Sequence, residues 1–312
     1  MQEPLKINCR NCGAKLDLSE FQPFSLLPCP ECGASLRVPM RFERYLLEKI
    51  CGKGGNSVVY RALEPDLARR VAVKVESENS SGESETARCF INAARISGKI
   101  RHAGMIPVYN CGTFEGKTFL VMRYMEHGDL EQMMKQNKLP GARQILTWIS
   151  SLIPLLIEAR KQNIVHHDIK PANIMLTAED EAKLGDWDIA DIREQGDIST
   201  PCTMWASPIY TSPERIFGGG EDWRGDIFSL GVTIYELLSG VAPFGLHGSQ
   251  DEIYARRQNM QFRPLAALVP EVPPALSFLV TGMLDFYPEN RPDYEEIADI
   301  LNGAVSSGSS LK

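Results

Sequence analysis

No stretch of this chain approaches the roughly 20 consecutive apolar residues that a membrane-spanning helix needs. The first residues also lack the charged-then-apolar order of a secretory leader, so a soluble, cytoplasmic protein is the expectation. Charge of one sign is nowhere concentrated: 33 Lys and Arg stand against 40 Asp and Glu, a formal net charge of −7, with both signs mixed throughout. No basic arm is available to neutralise a phosphate backbone, and nucleic acid is not expected as a partner. Low-complexity sequence is confined to Ser306-Ser307-Gly308-Ser309-Ser310, which predicts a disordered tail over 305–312, and no internal repeat is apparent. Cysteine is sparse, eight residues in 312, and Cys51, Cys89, Cys111 and Cys202 follow no pattern.

The other four cysteines do. Cys9-Arg10-Asn11-Cys12-Gly13 and Cys29-Pro30-Glu31-Cys32-Gly33 are two C-x-x-C knuckles with residues 13–28 between them, the spacing of a four-thiolate zinc site. Soft anionic sulfurs select tetrahedral Zn2+, and the glycine after each second cysteine frees the backbone to turn its amides toward them. Two disulfides or four free thiols are the competing reading, disfavoured inside a cell. Residues 1–38 hold too few apolar side chains to fold without a metal. Lys6, Arg10, Lys15 and Arg37 are balanced there by Glu3, Asp17, Glu20 and Glu31, which favours a docking or regulatory module over a nucleic-acid reader.

With 43% apolar residues over the whole chain, there is enough to bury a substantial core beyond residue 38. Tyr45 to about Phe119 reads as strands, among them Val58-Val59-Tyr60, Val71-Ala72-Val73-Lys74-Val75 and Thr118-Phe119-Leu120-Val121-Met122. One helical stretch, roughly Glu83 to Ile100, interrupts them. After Gly128 the apolar period becomes helical: Ile145, Trp148, Ile149, Leu152, Ile153 and Leu156, with Pro154 expected to kink the helix. Ile227 to Leu238 is apolar on nearly every side, which predicts a buried helix capped by Asp226 before it and Gly240 after it.

Gly52-Lys53-Gly54-Gly55-Asn56-Ser57 lies between strands and could let backbone amides approach a polyphosphate, although any glycine-rich hairpin reads alike. Lys74 ends an apolar run on a single cation. More specific is His166-His167-Asp168-Ile169-Lys170-Pro171-Ala172-Asn173-Ile174-Met175, which sets a carboxylate, a cation and an amide at fixed offsets. The carboxylate can take the proton of a hydroxyl nucleophile, the lysine can balance phosphoryl charge and the amide can hold a metal. Asp186-Trp187-Asp188 follows with another candidate metal ligand, Asp186.

In this order the motifs resemble the protein kinase family over residues from about 45 to 302, in particular the bacterial-type eukaryotic-like Ser/Thr kinases. The resemblance implies an α+β, bilobal protein kinase fold, with a β-rich N-lobe at about 42–125 and a helical C-lobe at about 126–304, within a kinase domain at 39–304 behind a zinc ribbon at 1–38. It implies ATP and Mg2+ as cofactors and an unidentified protein as substrate or binding partner, while Zn2+ as a structural ion follows from the cysteine spacing alone. Asp168 would be the catalytic base and Lys170 would steady the phosphoryl group. Asn173 and Asp186 would bind magnesium. Gly52, Gly54, Val59, Ala72, Lys74, Met122, Tyr124, Met125, Asp129 and Met175 would line the ATP site. Met122-Arg123-Tyr124-Met125 resembles the adenine-binding hinge and Ala206-Ser207-Pro208 to Glu214 the end of the activation segment. Glu214 would pair with Arg291, and Asp226 would tie the catalytic loop to the buried helix. Lys170 together with Ser207 follows the Ser/Thr pattern.

Four positions depart from that pattern. Ala93 stands where the family carries the glutamate that pairs with the strand lysine, with Glu83 and Glu85 about two turns earlier. Asp188 replaces the glycine of the D-F-G motif, Ser57 replaces the third glycine of the loop, and His167 replaces the arginine that pairs with a phosphorylated activation segment. Activation through Thr203 by that route is therefore not expected. The alternative to an active kinase is a kinase-shaped nucleotide-binding or scaffold module.

Overall fold

The computed structural model describes residues 5–77, 85–192, 208–216, 220–245 and 250–306. They form two units, Met1–Ala94 with Pro107–Tyr124, and Arg95–Ile106 with Met125–Lys312.

The first unit opens with two three-residue hairpins, β1 (Lys6–Asn8) with β2 (Lys15–Asp17), and β3 (Leu26–Pro28) with β4 (Ser35–Arg37). Each is closed by one cysteine knuckle. Cys9 N–H donates to Ala14 and Cys29 N–H to Ala34, while Gly13 (φ 75°) and Gly33 (φ 73°) donate back to Cys9 and Cys29, all at 2.8 Å. The two hairpins are copies of one Cys-x-x-Cys-Gly-Ala-x-Leu unit, so a short internal repeat is present where none was expected. Leu16, Leu18 and Val38 pack with Cys9 and Cys29 into a small core of their own.

The chain then enters a six-stranded antiparallel sheet in the order β5-β6-β7-β8-β10-β9. Its strands are β5 (Met40–Phe42), β6 (Tyr45–Lys53), β7 (Ser57–Glu64), β8 (Arg69–Glu76), β9 (Val108–Phe114) and β10 (Lys117–Arg123). Alternation along a strand sends neighbouring residues to opposite faces. Val71, Val73, Val75, Phe119 and Val121 therefore fill the core with Phe42, Tyr45 and Leu47. Ala72 and Lys74 face the other way, paired with Met122 and Leu120 on β10, and Val59 on β7 pairs with Lys74. Four of the expected nucleotide residues, Val59, Ala72, Lys74 and Met122, thus share one face of the sheet. Helix α1 (Glu85–Lys99) supplies the buried Phe90 and Ala93.

The hairpin domain is fastened to this sheet. Phe24 joins the sheet's apolar cluster and stacks on Tyr60 at 6.1 Å. Arg10, inside the first knuckle, pairs with the nearly buried Glu48 of β6. Arg61 Nε also lies 3.0 Å from that carboxylate but is not aligned for a hydrogen bond.

The second unit is helical: α2 (Leu130–Lys135), α3 (Ala142–Lys161), α4 (Pro213–Ile216), α5 (Trp223–Ser239), α6 (Gln250–Gln258), α7 (Pro274–Met283) and α8 (Tyr294–Ser306). Between α3 and α4 lie four short strands, β11 (Ile164–Val165), β12 (Ile174–Leu176), β13 (Ala182–Leu184) and β14 (Asp191–Ile192), paired β11 with β14 and β12 with β13. Helix α3 runs through Pro154 without ending. Helix α5 is buried almost all round, as its composition requires, but it starts earlier than expected. Asp222 is its N-cap, accepting from Arg224 N–H, and Asp226 lies inside the first turn with its carboxylate used elsewhere. Gly240, at φ 75°, ends the helix as expected. Helix α8 extends through Ser306, two residues into the stretch expected to be a tail. The rest of that tail, with Glu83, Cys202, Thr203, Ala206 and Ser207, lies outside the described residues. Among the described residues no helix is long and apolar enough to cross a membrane.

Candidate active site and metal centre

The loop between β11 and β12 carries the densest chemistry. Its entry is suspended from Asp226, whose two carboxylate oxygens accept the N–H groups of His166 (2.7 Å) and His167 (2.8 Å). Burial lifts the Asp226 carboxyl to about 6, against the pull of nearby His167 and the two amides. His166 is fully enclosed, and burial lowers its pKa to about 4, so it is neutral. Its Nδ1 accepts from Asp168 N–H at 3.2 Å, so the ring proton sits on Nε2 and is donated to the Gly185 carbonyl at 3.0 Å. His167 adopts φ 67°, a left-handed state that costs a residue with a side chain roughly 1–3 kcal/mol.

These constraints fix Asp168. Its Oδ2 accepts from Lys170 Nζ at 2.7 Å and from Asn173 Nδ2 at 2.9 Å, while Asn173 Nδ2 also reaches the Asp168 carbonyl at 2.7 Å. Burial raises the Asp168 pKa, with Lys170 opposing and Asp186 reinforcing the shift. With its amide nitrogen turned to Asp168, Asn173 keeps its oxygen as the atom able to meet a hard cation.

Gly185 packs so tightly on Ile106 that a Cβ would come within 2.7 Å of it, and its N–H donates to Asn173 O. Asp186 then adopts φ 60°, while Asp188 is not among the residues with positive φ. The glycine that the family places at 188 is therefore not needed for backbone freedom here. Trp187 is buried edge-on against His166 at 4.4 Å.

In the first unit, a Cβ on Gly52 would meet nothing within 4 Å and one on Gly54 would meet only Ser57, so the hairpin tip has open space beside its backbone. Lys74 Nζ lies 5.5 Å from the centre of the Phe90 ring, a cation–π distance. An aromatic face on α1 thus approaches the ammonium in the region where Ala93 brings no carboxylate. Tyr124 is half-buried and Met125 buried. Asp129 caps α2, accepting from Gln132 N–H at 2.8 Å, and burial raises its pKa. Met175 forms a β-bridge with Asp129.

Arg291 and Glu214 meet in two parallel hydrogen bonds of 2.7 and 2.8 Å, and Arg291 also donates to the carbonyls of Arg224 and Asp285. Its side chain is fully buried. Arg291→Met leaves Glu214 without its cation. The expected loss is about 3–5 kcal/mol, read as a fall of roughly 10 °C in the thermal midpoint.

Two further side chains shape this unit and carry no motif signal. Arg257 on α6, 2% exposed, donates to the carbonyls of Pro208 and Ile209 at 2.5 Å and Thr211 at 2.7 Å, and burial lowers its pKa to about 10. Glu221 is buried beside His167. An isolated acid and an isolated arginine look in sequence like any solvated charge.

The four sulfurs of Cys9, Cys12, Cys29 and Cys32 lie within 4.8 Å of one another. The Cys9–Cys32 and Cys12–Cys29 separations are 3.8 Å. Tetrahedral zinc with Zn–S bonds of about 2.3 Å requires sulfurs about 3.8 Å apart, so the set fits that ion. The Asn11 side-chain amide and the Ala34 N–H hold the Cys32 thiol down to about 6.

A hydrogen-bonded carboxylate, lysine and asparagine on one short loop, in a chain with a sheet-rich and a helix-rich unit, is the arrangement expected of a protein kinase domain. The protein kinase domain family matches residues 45–300, and the chain belongs to that family. It is 31% identical over 259 residues to a probable serine/threonine-protein kinase of Clostridium acetobutylicum, covering 83% of this chain and 39% of that protein. It is 31% identical over 207 residues to the serine/threonine-protein kinase PknJ of Mycobacterium tuberculosis, covering 65% of this chain and 35% of PknJ. PknL of the same species is 29% identical over 266 residues, 83% of this chain and 66% of PknL. The chain thus spans less than two thirds of the length of each of these relatives.

Proposed function

We propose that the chain transfers the γ-phosphoryl group of ATP to serine or threonine hydroxyls of a protein substrate. The observation that carries this reading is the double hydrogen bond that places Asp168 between Lys170 and Asn173. Asp168 accepts the proton of the attacking hydroxyl, and Lys170, already bonded to the same carboxylate oxygen, balances the charge that develops on the phosphoryl oxygens. Asn173, through its free oxygen, and Asp186 would hold magnesium. Bound ATP with magnesium supplies the phosphoryl group and neutralises its charge. Lys74 would pair with the nucleotide phosphates, and the open backbone at Gly52 and Gly54 leaves room for them. Lys170 and the names of the relatives favour Ser/Thr over Tyr.

The same reading gives residues 1–38 a resident zinc ion on Cys9, Cys12, Cys29 and Cys32, supported by sulfur spacing that matches the ion, and makes the ribbon a docking or regulatory module.

The test is magnesium-dependent transfer from labelled ATP to a generic protein substrate, with wild type beside Lys74→Met. Wild type is expected to transfer, and Lys74→Met to lose about 100-fold in kcat/KM. A folded wild-type protein with no transfer would replace this reading with a nucleotide-binding or scaffold module.

A further inference from the structure

His167 precedes the proposed base and is held from three directions. Asp226 takes its N–H, Arg215 Nη1 donates to its carbonyl at 3.0 Å, and its ring faces a carboxylate, Glu221, with Nδ1 2.6 Å from Oε2. The ring is turned so that neither nitrogen is aligned for a hydrogen bond, so the imidazole and the carboxylate are packed in close contact without a directed bond between them. Glu221 is 4% exposed, and its other oxygen accepts from the fully buried Ser212 hydroxyl at 2.5 Å. Arg215 Nε stands 3.6 Å from the same carboxylate. Burial opposes ionisation of Glu221, but His167, Arg215 and Ser212 outweigh it and hold its pKa below the ordinary value.

A second observation is steric and independent of charge. A Cβ placed on Gly225 would lie 2.0 Å from Glu221 Oε1 and 2.5 Å from both Cδ and Cγ. Any side chain at 225 would evict this carboxylate. Sequence provides the acid just before the N-cap of α5 and the vacancy in its first turn. Buried charge that exists only by such an arrangement, pressed against a residue in a strained backbone state, points to a role in holding that state.

We infer that Glu221 is a positioning residue for phosphoryl transfer: admitted by Gly225, its carboxylate holds His167 in the left-handed conformation that aims Asp168. This inference rests on the kinase reading above, so its test has one readout that needs no activity.

Glu221→Gln keeps the shape and removes the charge, and Gly225→Ala removes the room. In both, kcat is expected to fall about 10–100-fold with the ATP KM within about two-fold, because a small misplacement of the reacting groups has that effect on the chemical step. The double variant should be no worse than the poorer single one, since both act through one carboxylate. Hydrogen exchange at the His167 and Asp168 amides should quicken at least ten-fold in each variant, relative to the buried amides of α3 in the same sample, which removes any general loss of stability. Unchanged kcat, unchanged exchange at 167–168, or multiplying effects in the double variant would overturn the inference. If wild type transfers nothing, the kinase reading fails by itself, and the exchange data still decide whether Glu221 anchors the loop. Should Gly225→Ala fail to fold, Glu221→Gln alone carries both readouts.

Discussion

Asp168→Asn is expected to reduce kcat by about 10³-fold while leaving ATP affinity within about two-fold of wild type. The substitution is isosteric, and an amide oxygen at this position can still accept from Lys170 Nζ and Asn173 Nδ2, so the loop keeps its shape. What disappears is the ability to accept a proton. Nucleotide affinity should survive, because the residues proposed to meet the phosphates and adenine lie elsewhere in the sequence. The pH profile offers a second, signed readout. Burial raises the Asp168 pKa, and the base works only when ionised. The acid limb of kcat in wild type should therefore lie above the ordinary aspartate value of about 3.9, with activity falling as pH drops through it. That limb should vanish in the residual activity of Asp168→Asn. Transfer assays across pH, beside calorimetric ATP binding, check both points. Full activity in the variant would remove Asp168 from the role of base.

The loop proposed to carry catalysis was legible because the chemistry proposed for it imposes fixed offsets: Asp168, Lys170 and Asn173 must reach one point from a single short segment. The strands were legible as β-branched runs, while the placing of Ala72 and Lys74 on the face opposite Val71, Val73 and Val75 comes from the sheet register. The cap of α5 was misread because local capping grammar sees an acid before an apolar run and assigns it to the nearest amides. The structure spends Asp226 on His166 and His167, some 60 residues earlier in the chain, and uses Asp222 as the cap. Phe90 was invisible for a different reason: a buried phenylalanine on an amphipathic helix is ordinary core, and only its distance to Lys74 marks it. Asp188 stands where the family keeps its glycine, but positive φ does not fall on that residue. Here it falls on Asp186, two residues earlier. Glu221 and Gly225 carried no signal singly; their meaning is a 2.0 Å conflict that exists only in three dimensions.

Stripping zinc should unfold residues 5–38 while leaving the six-stranded sheet and the helical unit folded. The hairpins are three residues per strand, and their shared core comprises Cys9 and Cys29 with Leu16, Leu18 and Val38, too little to offset chain ordering without a metal. Structural zinc in small peptides contributes about 10–16 kcal/mol at neutral pH, which is the scale of what chelation removes. The rest of the first unit has its own apolar cluster around Val73, Phe119 and Tyr45 and does not draw on the metal. Purified protein should hold one zinc per chain by elemental analysis. On chelation, amide protection should disappear from the four hairpin strands and persist in β6 to β10. Cys9→Ser and Cys29→Ser, which remove the two buried ligands, should give the same pattern. At the seam, Phe24 would leave Tyr60 and Arg10 would leave Glu48, so a chelation-dependent change in transfer rate would locate any regulatory signal at these two contacts. Protein isolated without zinc, or hairpins that stay protected under chelation, would refute the four-thiolate centre.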